Sequence, residues 1–310
     1  MKKRWTLGLL VAGALAAAVT AVQLARPESK GIFYRVTGGK NDMFLIGSIH
    51  VGSREMYPMS SEILNAIDNA DVLVFECDTT SIEAQNATAR LMTSAIPLSE
   101  RVSSVCLEQV KKAAEKLGYS MEYLEMLDPW AVTSMMSVAT AASEMDSGSS
   151  RTATSLGVEN MVRKRVENQS TAYLETVEYQ LGLLEDFSPE LQEYLLMSAC
   201  QALLEPDGIQ GMDQDIEMWP VWWHDGNAQA FADSYRKGLE KEASPLLAQE
   251  YHQSLLVRRN RHMALKLQQM LEDDENQSYV VVVGLMHLVL PDDSMIAELQ
   301  AMGYQVEQIK

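Results

Sequence analysis

The chain has 310 residues, 25 basic and 43 acidic, and a formal net charge of -18. A surface so negative argues against nucleic acid and anionic lipid as ligands, because both carry the same sign of charge. Hydrophobic residues make up 47% of the chain, enough to bury a sizeable core and too many for a globally disordered chain.

Residues 1–25 stand apart from the rest. Lys2-Lys3-Arg4 form a basic flank, and Trp5 to Thr20 is almost wholly apolar. Val19-Thr20-Ala21 fits a small-residue cleavage site, so the segment reads as a secretory signal. The rival reading is an uncleaved membrane anchor through residues 5–25, which is just long enough to span a bilayer. On either reading the basic flank stays inside and the remainder is extracytoplasmic. Residues 26–310 then form one domain. Cys77, Cys106 and Cys200 are scattered without a Cys-x-x-Cys pair, so buried free thiols are expected rather than a disulfide framework or a thiolate metal site.

Gly31 to Val36 and Asp42 to Ile46 flank Thr37-Gly-Gly-Lys-Asn41, a hairpin pattern. The second arm continues as Phe44-Leu-Ile-Gly-Ser-Ile-His-Val-Gly52 and delivers His50. Ser60-Ser61-Glu62 opens a helix that runs to about Asn69. Val72 to Phe75 is a short buried strand with Glu76-Cys77-Asp78 at its carboxyl end. If this strand and that of His50 are parallel neighbours, both residues lie on the sheet edge where α/β proteins collect ligands.

Residues 81–275 are mostly helical in pattern. Val105 to Leu117 has the helical period and Gly118 stops it. Asp128-Pro129 starts another helix, and the Met- and Ala-rich stretch Trp130 to Ala142 reads as core packing. Met145 to Thr152 reads as a loop, and Leu156 to Val166 as a helix. Ser170 to Leu174 reads as a strand ending in Glu175-Thr176, with Gln180 one helical turn on. Ser188-Pro189-Glu190 caps a helix to about Leu204. The aromatic cluster Trp219-Pro-Val-Trp-Trp223 reads as packing. Helices follow at Asn227 to Glu240 and Leu246 to Glu272, the latter carrying Arg258-Arg259-Asn260-Arg261-His262. His224, His252 and His262 lack a strand-end context and read as surface residues.

The phrase around His50 returns as Val280-Val-Val-Val-Gly-Leu-Met-His-Leu288. Each copy is an apolar run followed by Gly-x-x-His, and a helix and strand follow each. For the second copy these are Ser294 to Met302 and Gln305 to Ile309. The expected fold is α/β, with a central β-sheet built from N- and C-terminal pseudo-repeat units and a largely helical middle. Equivalent loops then converge, bringing together His50 and His287 with Glu76 and Glu175. Mixed nitrogen and oxygen donors suit a divalent transition metal, with Mn, Co, Zn and Fe not distinguished. Such a site makes a water-derived nucleophile near neutral pH. Arg259 suits an oxyanion or a substrate carboxylate. Gly47 and Gly284 let the backbone turn sharply or approach a neighbour. The competing reading makes both histidines hydrogen-bonded structural residues of tight turns.

These motifs together resemble the TraB/GumN family. The resemblance rests on Phe44 to Val51, Val74-Phe-Glu76, Leu174-Glu-Thr176 with Gln180, Arg259-Asn260 with Met263-Ala264, Val283-Gly-x-x-His-Leu288, and Gly303-Tyr304-x-Val306. That family is related to the Tiki metalloproteases and more distantly to haem-uptake lipoproteins and erythromycin esterases. The resemblance covers about residues 31–310. It implies a metal-dependent hydrolytic site made of Gly47, His50, Glu76, Glu175, Arg259, Asn260, Gly284 and His287. Of these, His50, His287, Glu76 and Glu175 would hold the metal, while a glutamate, Arg259 and Asn260 serve catalysis. The substrate would be a peptide or a small molecule. The alternative is an extracytoplasmic protein that sequesters haem or peptide with the same histidines. Two departures stand out: Leu288-Val-Leu-Pro291 replaces the usual Leu-x-Gly, and Gly157-Val-Glu159 has Glu where Asp is usual. Oligomeric state is left open.

Overall fold

Six strands form one sheet in the order β4-β3-β5-β2-β1-β6. They are β1 (Phe33–Thr37), β2 (Asp42–Ser48), β3 (Val72–Phe75), β4 (Ser170–Tyr173), β5 (Ser278–Gly284) and β6 (Gln305–Gln308). The structure is a computed structural model and describes residues 27–166, 169–205, 215–241 and 244–309. The predicted leader or anchor lies outside the described residues. Among those described, no helix is long and apolar enough to cross a membrane.

β1 and β2 form the expected antiparallel hairpin. β2, β5, β3 and β4 run parallel to one another. β6 pairs antiparallel with β1 and so runs the same way as those four. β3 and the stretch Tyr279 to Val283 are buried at every position, because parallel strands covered on both faces read as continuous apolar runs. β5 lies between β2 and β3. The strands that deliver His50 and Glu76 are therefore parallel but not neighbours, a correction to the expected pairing. The reason is that β5, longer than β3 and buried from Tyr279 to Val283, takes the central place.

The two pseudo-repeat units start alike and then diverge. β2 and β5 pair in register, with Gly47 beside Val283 and Ser48 beside Gly284. The first unit continues through the helix Ser61–Asn69, capped by Ser60, to β3. The second continues through Met295–Ala301, capped by Ser294, to the far edge of the sheet.

The middle of the chain is helical and has an apolar cluster of its own. Leu98, Val110, Leu124, Trp130, Met136 and Leu196 are among its buried members. Cys106 and Cys200 lie in that cluster and Cys77 lies nearer the sheet; all three are free and buried, as expected. The predicted loop Met145 to Thr152 is shorter than expected. Ser149 accepts a hydrogen bond from the Thr152 amide and starts a helix, Ser150–Ser155. The next helix begins only at Val158, since Gly157 is pressed against the chain at His50. Helices Pro245–His252 and Arg258–Glu272 are joined without a break by a π turn, Gln253–Val257. Such turns re-aim side chains and cluster at functional sites.

Candidate functional site

The carboxyl ends of β2, β3, β4 and β5 meet at one edge of the sheet. They place Ser48, Glu76, Glu175 and Gly284 close together, and the helix Arg258–Glu272 brings Arg259 and Asn260 over them. Of the eight residues singled out by sequence, Glu76, Glu175, Arg259 and Gly284 form one hydrogen-bonded assembly, Asn260 and His287 pair beside it, and Gly47 bonds to Ile32 and Trp223 next to them. The eighth, His50, stands on the wall of the same cavity with its side chain 73% exposed.

Glu76 is held from three sides. Its Oε1 accepts from the Gly284 amide at 2.5 Å, and its Oε2 accepts from Arg259 Nη2 at 2.6 Å and Gln180 Nε2 at 2.9 Å. Gly284 has a specific reason to be glycine: a Cβ there would lie 3.1 Å from Glu76 Oε1 and 3.4 Å from His287 Cδ2. Gly47 is a close-approach glycine too, since its Cβ would lie 2.9 Å from Ile32 Cγ2 and 3.0 Å from Leu285 Cβ. Its carbonyl accepts from the indole of the fully buried Trp223 at 2.8 Å.

Glu175 is turned away from the cavity. Its side chain is fully buried. Arg259 Nε donates to its two oxygens at 3.2 and 3.0 Å, Arg259 Nη2 at 2.7 Å, and Gln180 Nε2 at 2.9 Å. Arg259 Nη1 donates to the Leu255 carbonyl at 3.2 Å. The guanidinium thus bridges the two carboxylates, and four of its contacts are ion-pair hydrogen bonds to them. Burial alone would lower the Arg259 pKa, but Glu76 and Glu175 outweigh it and raise it.

The tautomer of His287 follows from its neighbours. Asn260 Nδ2 donates to the Asp293 carbonyl, which can only accept. Asn260 Oδ1 must then face His287 Nδ1, which lies 2.5 Å away and carries the proton. Nε2 is left with a bare lone pair, directed at Glu76 Oε1 3.8 Å distant. Burial, outweighing the pull of Glu76, keeps the ring neutral down to about 4. Burial would raise the Glu76 carboxyl, but the charges of His287, Arg259 and His50 and the Gly284 amide hold it down to about 2.

His50 sits in a turn braced from behind. Val158 N donates to the Ile49 carbonyl, and a Cβ on Gly157 would lie 2.3 Å from the His50 carbonyl oxygen. Its Nδ1 is 3.8 Å from Glu159 Oε2. Glu159 Oε1 accepts from Arg163 Nε at 3.0 Å and Nη2 at 2.9 Å. Arg163 in turn stacks over Phe75, 3.7 Å from the ring centroid. Gly157-Val-Glu159 stands out in the sequence only as a departure from the family pattern; its support of His50 together with Arg163 has as its local signal the i, i+4 spacing of Glu159 and Arg163 on one helix. By sequence His252 reads as a surface residue. The side chain is instead 16% exposed and pinned between Tyr235 and Asp293, because the π turn and the loop after His287 close over it. His224 is half-buried, with Nδ1 3.0 Å from Asp225 Oδ1, and His262 is exposed as expected.

The cavity has a volume of about 390 Å³ and is mostly apolar. Glu76, Arg259, His50 and His287 stand at its polar end. Trp219 and Phe231, their centroids 6.4 Å apart, form part of its wall, as do Val138 and Ala141. The aromatic cluster and the Met- and Ala-rich helix thus serve both packing and the cavity.

As the side chains stand, no group of three or more His, Cys, Asp and Glu among the described residues is placed to hold a metal ion. Glu175 faces Arg259 and His50 faces outward. The donor chemistry nevertheless fits a divalent ion at two positions. His287 Nε2 and Glu76 Oε1 are unprotonated acceptors facing each other at 3.8 Å, and a ligating histidine characteristically has its other nitrogen tied by a hydrogen bond, as Asn260 ties Nδ1. His50 is the further imidazole on the same cavity.

Sequence comparison finds relatives but no solved structure that matches. The chain is 27% identical over 103 residues to the uncharacterized protein YbaP of Escherichia coli (strain K12), covering 33% of this chain and 38% of that one. The same identity and coverage hold for YbaP of Shigella flexneri. An uncharacterized protein of Treponema pallidum (strain Nichols) is 22% identical over 186 residues, 58% of this chain and 54% of its own length. The matches thus span about four-tenths to half of those relatives. The model of the TraB/PrgY/gumN family matches residues 32–308, a range that takes in all six strands and all eight site residues, and the chain belongs to that family.

Proposed function

We propose that this chain is a metal-dependent hydrolase that works outside the cytoplasm and cleaves amide bonds of peptide substrates. The observation that carries the reading is the His287–Glu76 pair: two buried, unprotonated acceptors 3.8 Å apart at the polar end of an apolar cavity. A divalent ion held by His287 Nε2 and Glu76 Oε1, with His50 turned inward, would supply Lewis acidity for acyl transfer to water. Asn260 keeps His287 in the tautomer that leaves Nε2 free. Arg259 and Gln180 hold Glu76 so that Oε1 faces the cavity. Arg259 is therefore a positioning residue in this reading, since its donors are already engaged by the two carboxylates and the Leu255 carbonyl. The apolar wall excludes water and seats an apolar part of the substrate.

The test is metal content of the purified full-length chain, followed by incubation of the loaded protein with a peptide library. About one divalent ion per chain is expected, absent from a folded His50→Ala/His287→Ala variant, together with peptide cleavage that Glu76→Gln abolishes. Lack of metal binding at micromolar concentrations overturns the reading. Peptides bound but left intact would support the sequestering alternative instead.

A further inference from the structure

The hydrogen bonds behind His287 extend beyond Asn260. Tyr235 lies in the helix Ala228–Lys241 and lines the cavity. Its hydroxyl is 3.0 Å from His252 Nδ1, and the two rings lie 5.8 Å apart. His252 Nε2 is 3.1 Å from Asp293 Oδ2. The Asp293 carbonyl accepts from Asn260 Nδ2, and Asn260 Oδ1 meets His287 Nδ1.

The directions are fixed in the same way along this chain. An ionised Asp293 carboxylate only accepts, so His252 Nε2 carries a proton and donates it. Its Nδ1 is paired with the Tyr235 hydroxyl. Asp293 closes the loop that follows the second Gly-x-x-His, and its carboxylate is 48% exposed. In this chain that loop is Leu290-Pro-Asp-Asp293. It is gripped from two sides. Leu290 packs with Tyr235 and Leu256, and His252 holds the Asp293 carboxylate. His252 is also the last residue before the π turn, so the helix irregularity lies directly between His252 and Arg259.

We propose that His252 is a positioning residue for His287. Clamped by Tyr235 and holding Asp293, it fixes the carbonyl that sets the Asn260 amide, and the Asn260 amide fixes which nitrogen of His287 is bare. This rests on the hydrolase reading only for its metal readout. The tautomer of His287 is measurable without metal.

The experiment uses the full-length chain with His252→Ala, His252→Gln, Asp293→Ala and Tyr235→Phe, each checked for folding by circular dichroism. Two-bond ¹H–¹⁵N spectra of the metal-free protein report the His287 tautomer, and cobalt(II) titration reports affinity. In the wild type His287 is expected protonated at Nδ1 alone. His252→Ala and Asp293→Ala are expected to mix the tautomers and to weaken cobalt binding about tenfold. His252→Gln, whose amide reaches Asp293 as Nε2 does, is expected to restore both. Tyr235→Phe is expected to give a smaller effect. If His252→Ala folds and leaves the His287 signals as in the wild type, the proposal is overturned. If no variant, the wild type included, binds cobalt while the tautomer shifts as expected, the positioning role stands and the hydrolase reading fails.

Discussion

His287 Nε2 and Glu76 Oε1 face each other across 3.8 Å, and neither carries a proton at neutral pH. Two acceptors in that relation repel unless a cation or a proton donor lies between them. Everything around the pair maintains it: Asn260 behind the imidazole, the Gly284 amide beneath the carboxylate, and Arg259 beside it.

Arg259 is the neutralising charge of the buried assembly. Arg259→Met would leave Glu76 and Glu175 adjacent and uncompensated, and a loss of about 3–5 kcal/mol is expected. Urea unfolding measures it. A loss below about 1 kcal/mol would mean that the carboxylates find other partners or take up protons without cost.

Gly284→Ala tests the reason for the second motif glycine. The new methyl would meet Glu76 Oε1 at 3.1 Å and His287 Cδ2 at 3.4 Å, so it pushes the pair apart more than it disturbs the core. A stability loss of about 1–2 kcal/mol should accompany a metal affinity weakened by about tenfold or more. Unchanged metal affinity in a folded Gly284→Ala protein would count against the Glu76–His287 pair as donors.

The two motif histidines are expected to differ. His50 is largely exposed, so His50→Ala should change stability by no more than about 0.5 kcal/mol. His287 is buried and hydrogen-bonded, and His287→Ala should cost about 1–3 kcal/mol through the unpaired Asn260 amide. Paired thermal melts distinguish them. Equal losses at both positions would show that His50 is turned inward in solution.

Acid should destabilise the metal-free protein in two stages. His287 titrates near 4 in the fold against 6.5 when unperturbed, and Glu76 near 2 against 4.5. In each case the unfolded chain binds protons that the folded state does not, so stability falls as pH falls. The His287 contribution is lost between about 6.5 and 4, and that of Glu76 from about 4.5 downward. Urea midpoints measured from pH 7 to pH 4 should decline, with a shallower slope in His287→Gln. A flat profile over that interval would mean that His287 is not held neutral.

Much of the fold was legible in local pattern. Largely apolar runs bounded by turn residues marked five of the strands, the repeat of the first unit marked β6, and Ser60, Asp128, Ser188 and Ser294 marked helix starts that the structure caps as expected. These features depend on residues within a few positions of one another. So does the placement of Glu76 and Glu175 at strand ends, which made them candidates before their surroundings were known.

What the tertiary structure alone decided is how those residues face one another. Strand order cannot be read from one chain's periodicity, and β5 inserts between β2 and β3 because pairing is set by non-local burial. The partnership of Arg259 with two carboxylates joins residues 84 and 183 positions apart. His252 looked like a surface residue because its partners, Tyr235 and Asp293, lie 17 and 41 positions away. Hydrogen bonds at such separations leave no mark in local spacing; they exist only once the sheet edge, the π turn and the loop after His287 have been brought together.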